Sequence, residues 1–365
     1  MKNICFFNSV QFWGGGEKLH LENGIVFKKK GYNVTIASNP ASPLWKRALD
    51  EDLNTHSISV RNLSFLNPIK IAKLIRFYKK QKIDTVIFST SQDIKLGGIS
   101  AKLAGVKNIV NLRGLDVPVK ASVINRIVYK SILTHIISNS EATKRSILKY
   151  LGKYINEDKV HTIYHGIELD KFNKEDNSKL SEIQEKGQGI ILGNAGRLTP
   201  QKGQENLIKI AVKLKEEKID FTIFIAGTGE QKEELTKLIN KNNLHKDVIL
   251  LGFVEDVDSF MNSIDIFLLT SIWEGFGFVL VEAMIKSKPT VAFNITSNPE
   301  VVTANETGFL VDALDINMFA QKTKELIQNE ELRFKMGEAG RTSVLNRFIL
   351  EDRVSELESY INGNR

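Results

Sequence analysis

Short apolar runs alternate with amphipathic segments along nearly the whole chain. Runs of strand length followed by segments with the helical period predict repeated strand–helix–strand units. These units form parallel sheets, because each helix carries the chain back before the next strand begins. The alternation stops in the polar stretch 172–189 and then restarts. We therefore predict two Rossmann-like α/β domains, residues 1–171 and residues 172–348.

The predicted elements follow this alternation in both halves. Strands are predicted at 4–7, 33–37, 85–88, 108–112, 135–137, 160–163, 190–194, 222–226, 248–251, 266–269 and 290–293. Helices are predicted at 17–30, 69–81, 94–104, 123–131, 140–150, 204–217, 230–242, 278–286 and 317–328. Ligands of open α/β sheets bind beyond the carboxyl ends of the strands, so we expect the loops there to carry the chemistry.

The composition is that of a soluble globular protein. The 365 residues are 42% hydrophobic and 25% charged. No apolar stretch approaches the length of about eighteen residues that a membrane-spanning helix needs. Residues 1–10 have too short an apolar run for a signal peptide and are predicted to form a first strand. Cys5 is the single cysteine, which rules out an internal disulfide. These features together predict a cytoplasmic protein.

Charge is divided unevenly along the chain. Residues 1–171 hold 27 Lys and Arg against 13 Asp and Glu, whereas the remainder holds 23 against 30. A basic half can face nucleic acid, anionic lipid or a phosphorylated substrate, and a generally lysine-rich composition is the alternative. No recognition helix or finger motif accompanies the basic half, so we expect no nucleic-acid partner.

A glycine-rich loop follows the first predicted strand, in "NSVQFWGGGEKL". Gly14, Gly15 and Gly16 precede a helix whose first N–H groups can meet an anion. Leu19 occupies the third glycine position of the dinucleotide fingerprint, so that motif is excluded. A strand–helix turn would need one glycine rather than three, and we favour a loop that faces phosphate or sugar.

Two cations lie in the loop after the first strand of the second half, in "GNAGRLTPQKGQENLI". Arg197 follows Gly196 at the strand end, and Lys202 lies just before the helix. Arginine binds phosphate oxygens through two parallel bonds, and lysine adds a point charge. This arrangement suits a diphosphate better than a solvated loop does.

The loop after a later strand, in "LLGFVEDVDSFM", places Phe253 and Val254 at a strand end. Backbone groups there can meet the edge of a base, and plain core packing explains the two residues equally well. The segment "FIAGTGE" is explained equally well by a tight turn at a ligand and by close packing.

Two glutamates flank a Gly-Phe-Gly turn in "WEGFGFVLVEA". Glu274 lies in the loop after a buried strand, and Glu282 lies just over a turn into the next helix. Carboxylates accept two hydrogen bonds side by side, so each suits a sugar diol. A diphosphate between them would lie at the helix start, beside Gly277. The spacing therefore fits the order of groups in a nucleotide sugar: sugar, diphosphate, ribose.

These motifs resemble family 4 of the retaining glycosyltransferases, which have the GT-B fold: two Rossmann-like domains with parallel sheets facing across a cleft. The matching segments run in the family's order across nearly the whole chain. They are "GGGE" (14–17), "SNSEAT" (138–143), "GIELDKF" (166–172), "GRLTPQKG" (196–203), "LLGFVEDV" (250–257), "EGFGFVLVEA" (274–283) and "NPEVV" (298–302).

The resemblance implies roles for these residues. Arg197 and Lys202 would neutralise the leaving diphosphate, Glu274 would contact the donor sugar, and Glu282 would hold the ribose. Further donor contacts would come from Gly15, Gly16, Gly196, Phe253, Val254, Phe276, Gly277 and Phe278. The family's last helix, here at about 349–365, would pack back on the first domain.

The sequence departs from the family's pattern in two places. Where relatives often carry a histidine, "NLRGLDVP" has Arg113 and Asp116, both candidate contacts to the donor or the acceptor. Arg113 could meet the donor or an anionic acceptor, or form a structural ion pair. Before the Pro-Glu pair, "ITSNPE" lacks the usual glycines, and Asn298 followed by Pro299 suits a helix N-cap.

No metal site is predicted. "DVD" at 256–258 and "DED" at 50–52 look like the metal-binding Asp-x-Asp of another transferase fold, but both fall in segments of helical pattern. The six histidines are scattered. We expect no metal ion and no cofactor apart from the nucleotide sugar itself.

The sequence thus predicts a metal-independent, retaining hexosyltransferase that moves a sugar from a nucleotide diphosphate donor to a glycan or lipid-linked acceptor. Synthesis of bacterial surface polysaccharide or lipopolysaccharide fits, with the basic first domain near the anionic inner membrane face. The alternatives are a sugar-nucleotide epimerase of the same fold and a non-catalytic membrane adaptor that binds nucleotide sugars.

Overall fold

The computed structural model describes residues 2–114, 116–172 and 180–363. It divides into two compact units, Met1–Gly166 with Leu350–Arg365, and Ile167–Ile349. The division falls five residues before the predicted boundary, at the end of the "IYHG" segment. Residues 173–179 of the predicted polar break lie outside the described residues.

The first unit is built on a seven-stranded parallel sheet in the order β3-β2-β1-β4-β5-β6-β7. Its strands are β1 (Asn3–Asn8), β2 (Asn33–Ser38), β3 (Asn54–Ser57), β4 (Thr85–Phe88), β5 (Asn108–Arg113), β6 (His135–Ser138) and β7 (Val160–Thr162). Its helices before the second unit are α1 (Gly15–Lys29), α2 (Pro43–Asp50), α3 (Pro68–Lys80), α4 (Ser91–Asp93), α5 (Ile99–Ala104), α6 (Val123–Ile127) and α7 (Glu141–Leu151). Short π-helical turns continue α4 into α5 and extend α6.

The second unit has a six-stranded parallel sheet in the order β10-β9-β8-β11-β12-β13. Its strands are β8 (Ile190–Ala195), β9 (Phe221–Ala226), β10 (Val248–Gly252), β11 (Ile266–Leu269), β12 (Thr290–Phe293) and β13 (Gly308–Val311). Its helices are α8 (Leu169–Phe172), α9 (Ser181–Lys186), α10 (Gln204–Glu216), α11 (Lys232–Lys241), α12 (Val257–Ser263), α13 (Phe278–Ile285), α14 (Asn298–Val301), α15 (Ile316–Gln328) and α16 (Glu330–Arg347). The predicted α/β class is confirmed in both units.

Two apolar cores lie on opposite faces of the first sheet. One is built by α3, α5 and α7 against β1, β4, β5 and β6. The other is built by α1, α2 and the last helix, α17 (Leu350–Asn362). Coverage of both faces explains why the central strands are apolar throughout instead of alternating.

The last helix joins the first unit. Tyr32 donates its hydroxyl to Glu358 Oε1 at 2.7 Å, and Lys30 forms an ion pair with the same carboxylate at 2.9 Å. Residues 364 and 365 of the predicted final segment lie outside the described part of the chain. No helix among the described residues is both long and apolar enough to cross a bilayer.

Side-chain caps mark where several helices begin. Ser42, Asn67, Ser122 and Ser140 each accept a backbone N–H from the first turn of α2, α3, α6 and α7. α2 and α3 also have proline in that turn, where a missing N–H costs nothing.

Candidate active site at a strand-order switch point

The strand order of the second sheet reverses between β8 and β11. These two strands pair directly, and the chain leaves them towards opposite edges of the sheet. Such a reversal opens a crevice beyond the carboxyl ends of the two strands, where open α/β sheets bind their ligands. The loops at this point are 196–203, after β8, and 270–277, after β11.

The two loops pack backbone against backbone. Gly203 has φ +59°, and a Cβ there would lie 2.3 Å from the carbonyl oxygen of Thr270. The Thr270 hydroxyl in turn donates to the Gly203 carbonyl at 3.0 Å. Any side chain at position 203 would therefore force the loops apart.

Further hydrogen bonds fix the register of the two loops. The Ile272 N–H donates to the Gln201 carbonyl at 2.8 Å, and Gln201 Nε2 donates to the Trp273 carbonyl at 3.1 Å. These bonds hold Lys202 and Glu274 on facing segments.

Lys202 and Glu274 form a largely buried ion pair. Lys202 Nζ lies 2.6 Å from Glu274 Oε1, with 18% and 7% of the two side chains exposed. The Ser271 hydroxyl donates to the same oxygen at 2.6 Å. An ammonium group has three donors, so Lys202 keeps two for a ligand. The pair thus places a cation and a carboxylate together at the crevice.

Arg197 lies at the same crevice and is exposed. Its carbonyl accepts a bond from Gln204 Nε2 at 3.0 Å, which fixes its backbone. Within the described residues its guanidinium has no hydrogen-bond or ion-pair partner. An exposed arginine beside a fixed lysine can bind an anion through its planar, bidentate guanidinium group.

The glycines of "FIAGTGE" serve close packing. A Cβ on Gly227 would lie 1.9 Å from the Gly196 carbonyl oxygen, and a Cβ on Gly229 would lie 2.2 Å from that of Leu198. Only glycine lets the loop after β9 lie directly against the Arg197 loop. The Arg197 loop is therefore packed between the loop after β9 and the loop after β11.

Helix α13 begins at the crevice without a side-chain cap. Gly277 is its N-cap, with φ +81°, and Phe278 is its first residue. Asn298 Oδ1 lies near this helix start, 3.3 Å from where a Gly277 Cβ would be. The Asn298 side chain is fully buried, and this oxygen has no hydrogen-bond partner in the described part of the chain. Glu282 is half-buried, one turn further along α13.

Phe276 and Phe253, two of the predicted donor contacts, differ in how accessible their side chains are to a ligand. The Phe276 ring is 3% exposed and packs edge-on against Phe278 and Phe348, so only its backbone can reach a ligand. The Phe253 ring is 72% exposed just beyond β10, with Val254 half-buried beside it. β10 is two strands from β8, a distance of about 10 Å.

Asn298 is not the N-cap of α14. Ser297 occupies that position, and Asn298 is the first helical residue. Asn298 Nδ2 donates to the Phe293 carbonyl at 2.9 Å instead. The predicted cap is wrong because the chain turns one residue earlier, around the end of β12.

In the first unit, Arg113 and Asp116 have separate partners. Arg113 is 6% exposed at the end of β5, and its Nη2 donates to the Val117 carbonyl at 2.6 Å. Asp116 accepts a hydrogen bond from the Ser146 hydroxyl. Arg113 forms no ion pair with any carboxylate among the described residues, so the structural ion pair is wrong. Arg113 holds the turn after β5.

The glycine-rich loop opens α1 at the switch point of the first sheet, between β1 and β4. Gly15 and Gly16 are the first two residues of α1, and a Cβ on either would meet nothing within 4 Å. Gly14, by contrast, packs on Glu17, whose carboxylate accepts from Asn8 Nδ2 at 3.0 Å. Gly15 and Gly16 therefore leave open space over the helix start.

Sequence reasoning missed a buried carboxylate at this switch point. The Ser9 N–H donates to Asp93 Oδ2 at 3.0 Å, and Asp93 is fully buried. Burial raises the pKa of Asp93 to about 6, an effect that hydrogen bonds from Ser9 and Thr90 oppose and the charge of Glu17 reinforces. Asp93 follows β4 in the sequence, and this position at the carboxyl edge of the sheet could have identified it as a candidate site residue.

Neither Asp-x-Asp segment belongs to a cluster of potential metal-ligating side chains among the described residues. The aspartates of 256–258 have structural partners. Asp256 caps α12 through the Ser259 N–H at 3.0 Å, and Asp258 pairs with Lys286 at 2.7 Å. No group of three or more potential metal ligands occurs within the described ranges.

Comparisons with known proteins match both halves of the chain. The model "Glycosyl transferases group 1" matches residues 175–343, and the model "Glycosyltransferase Family 4" matches residues 13–171. The two matches meet near the boundary between the units.

Curated relatives match over nearly their full lengths. The chain is 26% identical to UDP-Gal:alpha-D-GlcNAc-diphosphoundecaprenol alpha-1,3-galactosyltransferase of Escherichia coli, over 97% of this chain and 95% of that protein. It is 27% identical to the capsular polysaccharide biosynthesis glycosyltransferase CapM of Staphylococcus aureus, over 99% and 98%.

A solved structure shares the fold. Anabaena HepE in complex with UDP and glucose superposes with a TM-score of 0.87 at 19% identity, covering both chains completely. The predicted resemblance to the family 4 glycosyltransferases, with the GT-B fold, is confirmed.

Proposed function

We propose that this enzyme is a retaining hexosyltransferase whose nucleotide-sugar donor binds at the switch point between β8 and β11. The observation that carries the proposal is the Lys202–Glu274 pair, fixed beside the exposed Arg197. A cation pair suits the diphosphate, and the adjoining carboxylate suits the hydroxyls of the sugar attached to it.

Each group has a defined task in the transfer. The acceptor hydroxyl attacks the anomeric carbon on the face from which the diphosphate departs, so configuration is retained. The bond from that carbon to the diphosphate oxygen breaks, and the hydroxyl proton passes to the departing phosphate. Arg197 and Lys202 stabilise the charge that develops on the diphosphate in the transition state. Such electrostatic stabilisation is usually the largest single contribution to catalysis. Glu274 holds the sugar through Oε2, since its two hydrogen bonds both fall on Oε1.

The remaining donor contacts follow from position. Glu282, further along α13, takes the ribose, and the start of α13 adds its positive dipole end at Gly277 and Phe278. We assign the base to Phe253 and Val254, which follow the carboxyl end of β10. Two side-chain cations at the phosphates can supply the positive charge that a metal ion gives other transferases, so we propose a metal-independent reaction.

The relatives suggest the donor and the acceptor. The Escherichia coli relative is named for UDP-Gal and for an acceptor linked to diphosphoundecaprenol, and the Staphylococcus aureus relative is named for capsular polysaccharide. We propose a UDP-hexose donor and a lipid-linked saccharide acceptor on the cytoplasmic side, in the synthesis of a bacterial surface polysaccharide.

The test is transfer in the presence of EDTA. UDP-, GDP- and ADP-hexoses are each incubated with diphosphoundecaprenol-linked N-acetylglucosamine, and the anomeric coupling of the product is read by NMR. We expect one nucleotide to support transfer with retention, and Arg197→Ala to lower turnover by about 100-fold. Lys241→Ala, another exposed cation of the second unit, is the control.

Three outcomes would contradict the proposal. Inversion of the anomeric configuration would exclude front-face attack. Conversion of the donor sugar without acceptor would indicate an epimerase. Nucleotide-sugar binding with no transfer to any saccharide acceptor would indicate a binding adaptor.

A further inference from the structure

Thr296 has a backbone conformation that its side chain disfavours. Its φ is +42°, in the left-handed region where a Cβ crowds the following carbonyl oxygen. Among the described residues, eight besides glycine have positive φ, and Thr296 is the only β-branched one of these. Strain of this kind occurs mainly where function needs a fixed geometry.

Helix termination explains most of the other positive φ values. Five of these residues come two positions after the last residue of a helix, where the chain commonly passes through the left-handed region. They are Asp52, Lys82, Lys218, Asn243 and Ser287. Thr296 follows β12 instead, so helix termination does not explain its conformation.

Thr296 lies in a tight turn after β12. The Asn298 N–H donates to the Ile295 carbonyl at 2.9 Å, which closes a four-residue turn with Thr296 as its first central residue. Glycine is the usual residue where that position has a positive φ, because it has no Cβ. The turn itself gains nothing from a threonine, so the reason for this side chain lies in its contacts.

The Thr296 side chain binds the backbone of Glu274. β11 and β12 are paired, so the loops that follow them lie side by side at the carboxyl edge of the sheet. The Glu274 N–H donates to Thr296 Oγ1 at 3.0 Å, and the Ser297 hydroxyl donates to the Glu274 carbonyl at 3.4 Å. Two consecutive residues after β12 therefore hold both polar backbone groups of Glu274.

Glu274 is thus fixed through its backbone and through one carboxylate oxygen. Its Oε1 accepts hydrogen bonds from Lys202 and from Ser271, both at 2.6 Å. The side chain is 7% exposed. Its Oε2 accepts no hydrogen bond within the described ranges, which leaves this oxygen, in a defined position, for a ligand.

We propose that Thr296 is a positioning residue that fixes Glu274 Oε2 and thereby determines which hexose the donor site selects. The inference rests on the proposed function, in which Oε2 holds the sugar. Hexose epimers differ in the direction of one hydroxyl, so a group that distinguishes them must be held within about 0.5 Å. Thr296 acts through Glu274 and does not itself contact the sugar.

The experiment compares the affinities of UDP, UDP-galactose and UDP-glucose by calorimetric titration, because the two hexoses are epimers at one carbon. We expect the wild type to bind one UDP-hexose at least about tenfold more tightly than the other, since the wrong epimer leaves a buried oxygen unpaired. Thr296→Val keeps the branched side chain and removes the hydroxyl oxygen. It should reduce the ratio of the two affinities by roughly tenfold and leave the affinity for UDP unchanged.

Three further variants show whether the hydroxyl acts through Glu274. Thr296→Ser keeps the hydroxyl and should retain the wild-type ratio. Thr236→Val is the matched control, because it removes an exposed hydroxyl from α11, and it should also retain the ratio. In a Glu274→Ala background, Thr296→Val should change the ratio no further, since the carboxylate that it positions is gone.

Several results would overturn the inference while leaving the proposed donor intact. They are a wild type that binds both epimers equally, and equal ratios in the wild type and Thr296→Val. An effect of Thr296→Val that persists in Glu274→Ala would show direct contact with the sugar instead. Equal losses for UDP and both UDP-hexoses would show that the hydroxyl serves only the stability of the loop. A wild type that binds neither UDP-hexose would contradict the proposed donor, and this inference with it.

Discussion

Lys202 Nζ lies 2.6 Å from Glu274 Oε1, although the two residues are 72 positions apart in the chain. One follows β8 and the other follows β11, the adjacent strands at which the sheet order reverses. The pair therefore ties together the two loops that form the proposed donor site, and it should affect stability and catalysis differently.

Lys202→Met should destabilise the protein by about 2–3 kcal/mol, because it leaves a buried carboxylate without its cation. Lys202→Met/Glu274→Gln removes both charges and should regain at least half of that loss. Turnover should stay reduced about 100-fold or more in both variants, since the double variant restores neither group. Urea unfolding and initial rates measure the two effects. Glu274→Gln alone completes the cycle, and a double variant whose stability loss equals the sum of the two single losses would show that the charges do not interact.

Arg197→Ala should separate binding from stability. The side chain is exposed, so the free energy of unfolding should change by less than about 0.5 kcal/mol. Loss of a bidentate contact to phosphate should weaken nucleotide diphosphate affinity by roughly 10- to 100-fold. Calorimetric titration measures this, with Lys241→Ala as the control. If Arg197→Ala and Lys241→Ala bind the nucleotide diphosphate with equal affinity, Arg197 does not contact the donor.

Gly203→Ala tests the contact between the two loops. Position 203 has φ +59°, and a Cβ there would lie 2.3 Å from the Thr270 carbonyl oxygen. Gly252 has φ +76° with nothing within 4 Å of its Cβ position, so Gly252→Ala shows the cost of the backbone conformation alone. That cost is about 1 kcal/mol. We expect Gly203→Ala to lose at least about 2 kcal/mol more than Gly252→Ala and to weaken nucleotide binding. Similar losses would show that the loops adjust freely.

His20→Leu should make the protein more resistant to acid. Burial lowers the pKa of His20 to about 3, and neither ring nitrogen has a hydrogen-bond partner in the described ranges. Because folding favours the neutral ring, stability is lost as pH falls from about 6.5 towards 3, by about 2 kcal/mol at pH 5. The variant should lack this loss, which urea unfolding at pH 7 and pH 5 would show. His165, with a similarly lowered pKa, should leave a residual acid dependence. Parallel pH profiles of wild type and variant would contradict the assignment.

Asp93→Asn should have the opposite pH dependence. The raised pKa of Asp93 means that folding favours the protonated carboxyl, so its contribution is present below about pH 4 and lost as pH rises through about 6. The variant keeps an oxygen for the Ser9 N–H. Its stability advantage over the wild type should be about 1–2 kcal/mol larger at pH 8 than at pH 5. An advantage that is constant with pH would mean that Asp93 stays ionised in the folded protein.

Strands with runs of buried apolar residues were predictable, and strands that are polar or begin with glycine were not. β4, β11 and β12 have the predicted bounds, because each is a compact run of buried residues of which at least three are apolar. β3 has the sequence NTHS and lies at the sheet edge, so pairing with β2 forms it without an apolar signal. β13 has the sequence GFLV, and its initial glycine weakens the strand pattern. α16 escaped prediction because few of its residues are buried and no apolar stripe repeats along it.

The loops that form the site were predictable from the sequence, but the contacts between their residues were not. The positions of Arg197, Lys202 and Glu274 after strands pointed to the crevice. The Lys202–Glu274 bond was not predictable, because it depends on β8 and β11 being neighbours. Local sequence patterns do not determine the order of strands in a sheet. The role of Gly227 likewise depends on the carbonyl oxygen of Gly196, which approaches it from another strand's loop. The buried packing of Phe276 depends on Phe348, far along the chain.

The most direct test of the donor site is calorimetric titration of UDP, in EDTA, into the wild type, Arg197→Ala and Glu282→Ala. The account predicts metal-independent binding by the wild type and a loss of roughly tenfold or more in affinity for each variant. UDP, GDP and ADP are compared to identify the base. Wild-type affinity in both variants, or no binding of any nucleotide without metal, would contradict the proposed site at the β8–β11 switch point.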